Sequence, residues 1–177
     1  MTKIKVATVS LAGCFGCHMS LLDIDENLIE LLQKIELTNT PLTDFKRCEP
    51  SFIGLIEGGV CNEDNIHTLK AMREACQILV AVGACAINGG IPAYRNQYSI
   101  RECLETVYCS ADLKNPQIPN DPELPLLLDK VYPLHEVVKI DYFLPGCPPS
   151  AAAIWTFLNE LLTGQPIRLP YQQLHYD

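Results

Sequence analysis

Short apolar runs alternate with longer amphipathic stretches along this chain. The runs are rich in β-branched residues and lie at 3–11, 52–56, 77–82 and 137–144. Runs that are apolar on both faces predict buried strands rather than half-exposed ones. Each run ends in a loop that contains glycine, so the pattern predicts four strands that stop abruptly at turns.

Amphipathic stretches follow each of the four runs. Apolar residues recur at helical spacing in them, which predicts helices at about 18–35, 63–75, 99–108 and 151–162. Asp23, Asp25 and Glu26 in the first stretch suit the positive end of a helix. The order of strand and helix, repeated four times, predicts an α/β protein. The expected fold is a flavodoxin-like, three-layer parallel sheet with helices on both faces.

The segment 112–133 differs from the rest of the chain because it carries a proline every few residues. Prolines at this density interrupt strands and helices, so we expect a Pro-rich surface excursion with little regular structure. The length of 177 residues suits one core. We therefore expect 1–177 to form a single flavodoxin-like domain.

Cysteines stand in the loops that follow three of the predicted strands. Cys14 and Cys17 follow the first run, Cys85 follows the third, and Cys147 follows the fourth. Ligands of parallel α/β sheets bind at the carboxyl ends of the strands, so we expect the four thiols to meet at one edge. Four thiolates make a soft-metal site, and an iron–sulfur cluster is the occupant that this donor set favours. The sequence thus predicts an electron-transfer protein.

Two glycines and two polar residues accompany these thiols. Gly16 and Gly146 permit turns with positive φ and a close approach of the backbone to a bulky cofactor. Glu57 ends the second run, where its carboxylate either lies within reach of the cofactor or is a solvated loop residue. His18 directly follows Cys17 and either caps the helix or hydrogen-bonds near the cofactor. All four are candidates for the surroundings of the cluster.

Other interpretations of the cysteines remain open at this point. A C-x-x-C between strand and helix also suits a thioredoxin-like thiol redox protein, although that leaves Cys85 and Cys147 unexplained. Four cysteines also suit zinc, but structural zinc usually draws its ligands from two close pairs, and here there is one. A stand-alone flavodoxin-like FMN carrier is a third alternative. The first loop carries Cys14 and Cys17 where a phosphate cradle needs several Ser, Thr and Gly residues, which argues against FMN.

The remaining five cysteines receive plainer interpretations. Cys76 and Cys103 lie in apolar or helical settings and are expected to be small core residues. Cys48, Cys61 and Cys109 lack partners at ligand spacing, so we assign them no role.

Composition limits the functions that this chain can perform. Apolar residues make up 48% of it, and the formal net charge is −8. An acidic chain without a basic patch is a poor partner for nucleic acid or an anionic membrane surface. No export signal or membrane span is visible, and the nine cysteines do not resemble a secreted disulfide scaffold. We expect a cytoplasmic location.

These motifs together resemble the small subunit of nickel–iron hydrogenases. The matching elements are C-x-G-C at 14–17, E-G-G at 57–59, G-x-C-x-x-x-G-G at 83–90 and P-G-C-P-P at 145–149. They occur in the family's order and span nearly the whole chain. The stretches 17–23 and 135–143 are most similar to the small (delta) subunit of cytoplasmic, bidirectional NAD-reducing hydrogenases. The related cluster-bearing subunit of complex I has adjacent cysteines where this chain separates Cys14 from Cys17.

The resemblance implies a specific role. Cys14, Cys17, Cys85 and Cys147 would hold the one [4Fe–4S] cluster nearest to a nickel–iron centre in a separate large subunit. The cluster would relay electrons between that centre and a diaphorase module that carries further iron–sulfur clusters, FMN and the NAD site. The complex would catalyse H₂ + NAD⁺ ⇌ H⁺ + NADH, and the chain alone would have no activity.

Two departures limit what the resemblance carries over. Many family members have a glutamate at the position of Met19, so a carboxylate role in proton movement is not expected there. The chain also stops shortly after the last predicted helix, so the two further clusters of longer relatives are not expected.

Overall fold

The computed structural model describes residues 3–44, 49–109 and 114–174. Within them, five parallel strands form a central sheet in the order β2-β1-β3-β5-β7, and β4 and β6 form a small antiparallel pair. The strands are β1 (Ile4–Ser10), β2 (Ile35–Asn39), β3 (Ser51–Glu57), β4 (Val60–Asn62), β5 (Cys76–Val82), β6 (Leu127–Tyr132) and β7 (Tyr142–Leu144). Counted without the small pair, this is the flavodoxin-like order, with a switch point between β1 and β3.

Helices cover both faces of the sheet. They are α1 (Gly16–Leu22), α2 (Glu26–Lys34), α3 (Glu63–Ala75), α4 (Ala84–Asn88), α5 (Ile100–Tyr108) and α6 (Ala151–Thr163), with 3₁₀ turns at Ile91–Gln97, Leu134–Glu136 and Tyr171–Gln173. One apolar cluster joins α1, α2 and α6 to one face, and a second joins α3 and α4 to the other. The predicted three-layer α/β fold is confirmed.

The helix predicted over 18–35 is wrong in two respects. It is broken into α1 and α2 at Asp25, whose φ of 57° is incompatible with a continuing helix. Ile35 does not end a helix but begins β2, the edge strand of the sheet, which pairs with β1. The helical periodicity runs directly into this strand, with no glycine or proline to separate them.

The fourth predicted strand is much shorter than the run that predicted it. Only Tyr142–Leu144 pairs with β5. Val137, Val138 and Ile140 instead pack against the second apolar cluster after a 3₁₀ turn. Their apolar character therefore reflects burial outside the sheet, and burial alone does not distinguish a strand from a packed loop.

The Pro-rich segment contains regular structure that the sequence did not predict. Residues 127–132 form β6, which pairs antiparallel with β4, and Val131 in it is buried. The expectation of little regular structure is therefore wrong for this part of 112–133. Residues 112 and 113 lie outside the described residues. Among the helices that the structure describes, none is long and apolar enough to cross a bilayer.

Candidate metal centre

Loops from three parallel strands meet at one edge of the sheet. β1 leads into a loop that carries Cys14 and then into α1, which contains Cys17. β5 leads through Gly83 into α4, which contains Cys85, and β7 leads into the loop that carries Cys147. Because the three strands are parallel, all of these cysteines follow carboxyl ends. The backbone N–H of Ala84 donates to the carbonyl of Gly146 (2.8 Å), which ties two of the loops together.

The four thiols form one connected group. Cys17 interacts electrostatically with Cys14 and Cys85, and Cys85 in turn interacts with Cys14 and Cys147. Cys14 and Cys147 are exposed, whereas Cys17 and Cys85 are only partly accessible. The structure thus brings together the residues that the sequence predicted to meet, with two of them facing outward.

Glycines leave no spare room around the sulfur atoms. A Cβ on Gly90 would lie 2.9 Å from the Cys85 sulfur, and a Cβ on Gly16 would lie 3.1 Å from the Cys14 sulfur. A Cβ on Gly83 would overlap the Cys17 sulfur, and one on Gly146 would overlap the backbone of Pro149. Three of the four thiols are therefore seated directly against glycine backbone, a cradle that any side chain would fill. Donor chemistry and cradle both fit an iron–sulfur cluster.

The grouped thiols do not form a site for a single metal ion. Among the described residues, no three His, Cys, Asp or Glu side chains are grouped so as to hold a single metal ion. A tetrahedral zinc site needs its sulfurs at about 2.3 Å from one atom. The described thiols therefore lack the single-ion geometry that zinc requires.

The partly buried thiols bind their protons tightly. Burial raises the pKa of the Cys17 thiol well above its ordinary value, and the nearby Glu57 carboxylate raises this pKa further. Burial also raises the pKa of Cys85, and the Cys147 and Cys14 thiols act in the same direction. Thiolate ligands must be deprotonated to bind metal, so loading this site releases protons.

Glu57 lies beneath these thiols at the end of β3 and is 2% exposed. It pairs in register with Ser10, whose hydroxyl donates to Glu57 Oε1 at 2.7 Å. The backbone N–H of His18 donates to Oε2 at 3.2 Å. Burial pushes the pKa of the Glu57 carboxyl upward, but hydrogen bonds from His18 and Ser10 outweigh it and hold the pKa below its ordinary value. The carboxylate is not the solvated loop residue of the alternative interpretation.

Several polar residues at this edge were not predicted from the sequence. Thr8 is buried in β1, where its hydroxyl contacts His18 Nε2 at 2.9 Å. Ser20 in α1 donates to the carbonyl of Pro149 at 2.5 Å, which links α1 to the loop after Cys147. The sequence feature that could have identified Thr8 and Ser20 is their polar character at positions that the periodicity predicts to be buried.

The remaining described cysteines take no part in this group. Cys76 is buried in the second apolar cluster, as predicted. Cys61 hydrogen-bonds to Asn65, and Cys109 is an exposed residue at the end of α5. Cys103 in α5 is partly accessible, so its predicted place in a core is wrong. Cys48 lies outside the described residues.

Comparison with known proteins identifies a family and several relatives of this chain. Residues 14–161 match the family described as the 20 Kd subunit of NADH ubiquinone oxidoreductase. The NAD-reducing hydrogenase HoxS subunit delta of Cupriavidus necator is 49% identical over 99% of this chain and 86% of its own length. The iron-sulfur subunit of the F420-non-reducing hydrogenase of Archaeoglobus profundus is 34% identical over 91% of this chain. This chain spans 56% of that longer relative.

A solved structure of an NAD⁺-reducing [NiFe]-hydrogenase in the H₂-reduced state contains a chain of the same fold. The two chains superpose with a TM-score of 0.97 at 54% identity, over 99% of this chain and all of the other. A flavodoxin-like sheet with four thiols at its carboxyl edge, together with these relatives, defines an iron–sulfur subunit of an oxidoreductase complex. The chain belongs to the 20 Kd NADH ubiquinone oxidoreductase subunit family, among the hydrogenase small subunits that include HoxS subunit delta. The predicted resemblance is confirmed.

Proposed function

We propose that Cys14, Cys17, Cys85 and Cys147 hold one [4Fe–4S] cluster, through which this hydrogenase small subunit passes electrons. The observation that carries the proposal is the group of four thiols, brought together from three strand ends and seated against glycine backbone. When bound, the cluster supplies one-electron transfer at the edge of the sheet.

The chain's own residues fix and shield this site. Cys17 and Cys85 hold the inner side, where the Cys17 thiol also reaches the carbonyl oxygen of Val82 at 3.6 Å. Cys14 and Cys147 hold the outer side, which is open to solvent in the isolated chain. A one-electron carrier must come close to its exchange partner, so we infer that the large subunit with the nickel–iron centre covers this outer side.

We propose an NAD-linked reaction for the assembled complex. Two relatives that match this chain over nearly its whole length are named for NAD reduction. A diaphorase partner with further iron–sulfur clusters, FMN and the NAD site would accept the electrons, giving H₂ + NAD⁺ ⇌ H⁺ + NADH. The chain has no G-x-G-x-x-G sequence of its own, so the NAD site is assigned to that partner. This reaction and a thiol-rich site suit the reducing cytoplasm.

Metal analysis of the anaerobically purified complex tests the ligand set. Cys→Ser at 14, 17, 85 or 147 is expected to remove or convert one cluster, so that about four iron and four sulfide per complex are lost or altered. The matched control is Cys109→Ser, an exposed cysteine away from the edge, which is expected to leave the metal content unchanged. Metal loss in the control, or full metal content in a ligand variant, would contradict the proposed set. Flavin absorption bands from this chain would do so too.

Hydrogen exchange tests the proposed partner surface. Binding of the large subunit is expected to protect amides around 13–20, 57–60, 85–92 and 145–150, which form the carboxyl edge. Protection restricted to the opposite edge, near 49–51 and 75–77, would contradict this docking. The separated chain is expected to reduce no dye with H₂, because the catalytic metal belongs to the large subunit.

A further inference from the structure

We propose that His18 is a positioning residue, which clamps the Glu57 carboxylate against Cys17 and so sets the reduction potential of the cluster. The inference rests on the function proposed above, because it presumes a cluster on Cys17. It goes further by assigning a role to a side chain that binds no metal.

Two nitrogens of His18 contact the two oxygens of Glu57. Nδ1 of the ring lies 3.0 Å from Oε1, and the backbone N–H donates to Oε2 at 3.2 Å. The ring contact departs from ideal hydrogen-bond alignment, so it is a close electrostatic contact more than a straight hydrogen bond. The side chains are 5% and 3% exposed, so solvent does not screen the pair. His18 therefore restrains both ends of the carboxylate.

The His18 ring is itself held on its other sides. It stacks on Phe15 with the ring centroids 4.7 Å apart and the planes 3° from parallel. Its Nε2 contacts the hydroxyl of Thr8 at 2.9 Å, and Thr8 bonds to Thr40 at 2.7 Å. Both threonines are 1% exposed. A ring fixed by stacking and by a buried hydroxyl has one orientation, which is the condition for orienting a neighbour.

Glu57 in turn acts on a proposed cluster ligand. Its Oε2 accepts from the backbone N–H of His18, the residue directly after Cys17, and Cys17, His18 and Glu57 line one small cavity. Adding an electron to a site beside a fixed negative charge is unfavourable, and groups around the sulfurs are known to set the potentials of such clusters. The position of this charge therefore affects the potential, and His18 determines the position.

A purely structural role for His18 makes a different prediction. If the network only satisfied buried polar groups, its loss would lower stability and leave the potential unchanged. The midpoint potential of the cluster, followed by electron paramagnetic resonance during a redox titration of the intact complex, separates the two roles. The signal to follow is the one that Cys17→Ser removes or alters, which also shows that the proposed cluster is present.

Two substitutions at His18 form a matched pair. The amide nitrogen of asparagine can take the place of Nδ1, so His18→Asn keeps a donor toward Glu57. Glutamine instead reaches the place of Nε2, so His18→Gln keeps the contact with Thr8 and loses the one with Glu57. We expect His18→Gln to shift the midpoint potential and His18→Asn to restore most of the wild-type value. Glu57→Gln, which removes the charge, should shift the potential to more positive values.

A double variant shows whether His18 acts through Glu57. The shift caused by His18→Gln is expected to vanish when Glu57→Gln is already present. An equal shift in both backgrounds, no shift at all, or an equal shift for His18→Asn would overturn the proposal. If the His18 variants do not assemble, Thr8→Val tests the same network from its far side with little change of volume. A shifted potential in Thr8→Val supports the proposal, and an unchanged one overturns it. Absence of the signal from the wild-type complex would instead refute the proposed function.

Discussion

Gly90 is a position at which even the smallest side chain should damage the proposed metal centre. Its backbone, at φ 50° and ψ −145°, lies in a region that residues with a Cβ rarely adopt. Forcing alanine into such a conformation costs about 1–3 kcal/mol of unfolding free energy. A Cβ would also lie 2.9 Å from both the nitrogen and the sulfur of Cys85. Ordinary contact begins at 3.4 Å, so Cys85 would have to retreat by about 0.5 Å.

Gly164 provides the matched control for Gly90→Ala. It also has a positive φ, 70°, but no atom lies within 4 Å of a Cβ built there, and it caps α6 far along the chain from the cysteines. Gly164→Ala should lower the free energy of unfolding by about 1–2 kcal/mol, because of backbone strain alone. We expect it to keep its full iron content. Gly90→Ala should lose stability by a similar or larger amount and should also lose iron, because Cys85 is displaced.

Urea unfolding and iron analysis on the same preparations separate these effects. Unfolding measures the strain, which both variants share, and the iron content measures the displacement of Cys85, which only one of them has. Full iron content in Gly90→Ala would refute the reasoning, because it would show that the loop accommodates a methyl group without moving the thiol. Iron loss in Gly164→Ala would refute it too, since backbone strain alone would then explain the result.

Two further predictions concern the frame that carries the site. Burial pushes the pKa of Asp141 upward, but hydrogen bonds from Arg73 and a backbone N–H hold it below the ordinary value. A lowered carboxyl pKa stabilises the fold above the unfolded value of about 3.9, and this contribution is lost as pH falls through the folded pKa. The urea concentration at the unfolding midpoint should therefore fall in the wild type when the pH is lowered below about 4, and it should fall less steeply in Asp141→Asn. The same dependence on pH in both proteins would contradict this. Phe157 is 1% exposed, so Phe157→Ala should lower the free energy of unfolding by about 3–5 kcal/mol, as measured with urea. Phe143 is exposed, so Phe143→Ala should lower it much less, and equal losses would contradict the packing.

The sequence predicted the edge of the sheet better than it predicted the elements around it. Parallel strands must place their carboxyl ends together, so a cysteine after each of three runs was enough to predict a thiol group. No comparable rule indicated β2, because Ile35–Asn39 is short, contains a glutamate and directly follows helical periodicity. The break at Asp25 was equally hidden, since a positive φ in an aspartate leaves no mark on the apolar pattern.

The polar network beneath the thiols depends on register, which the apolar pattern does not specify for a strand that is buried on both faces. Thr8 and Ser10 share one face of β1 because side chains alternate along a strand. Pairing of Ser10 with Glu57 then brings the carboxylate to that same place. A shift of one residue between β1 and β3 would separate these groups. The sequence shows that a glutamate ends this strand, but its hydrogen-bond partners can be identified only once the pairing of the strands is known.

The site is asymmetric in a way that suits electron exchange. Its inner side is rigid, because Cys17 lies beside a carboxylate that His18 and Ser10 restrain and that solvent hardly reaches. Its outer side carries Cys14 and Cys147, which are exposed in the isolated chain. A carrier needs a fixed environment to keep its potential constant and an open face to approach its partner. The first requirement is met within this chain, and under the proposed function the second is completed only when the complex assembles.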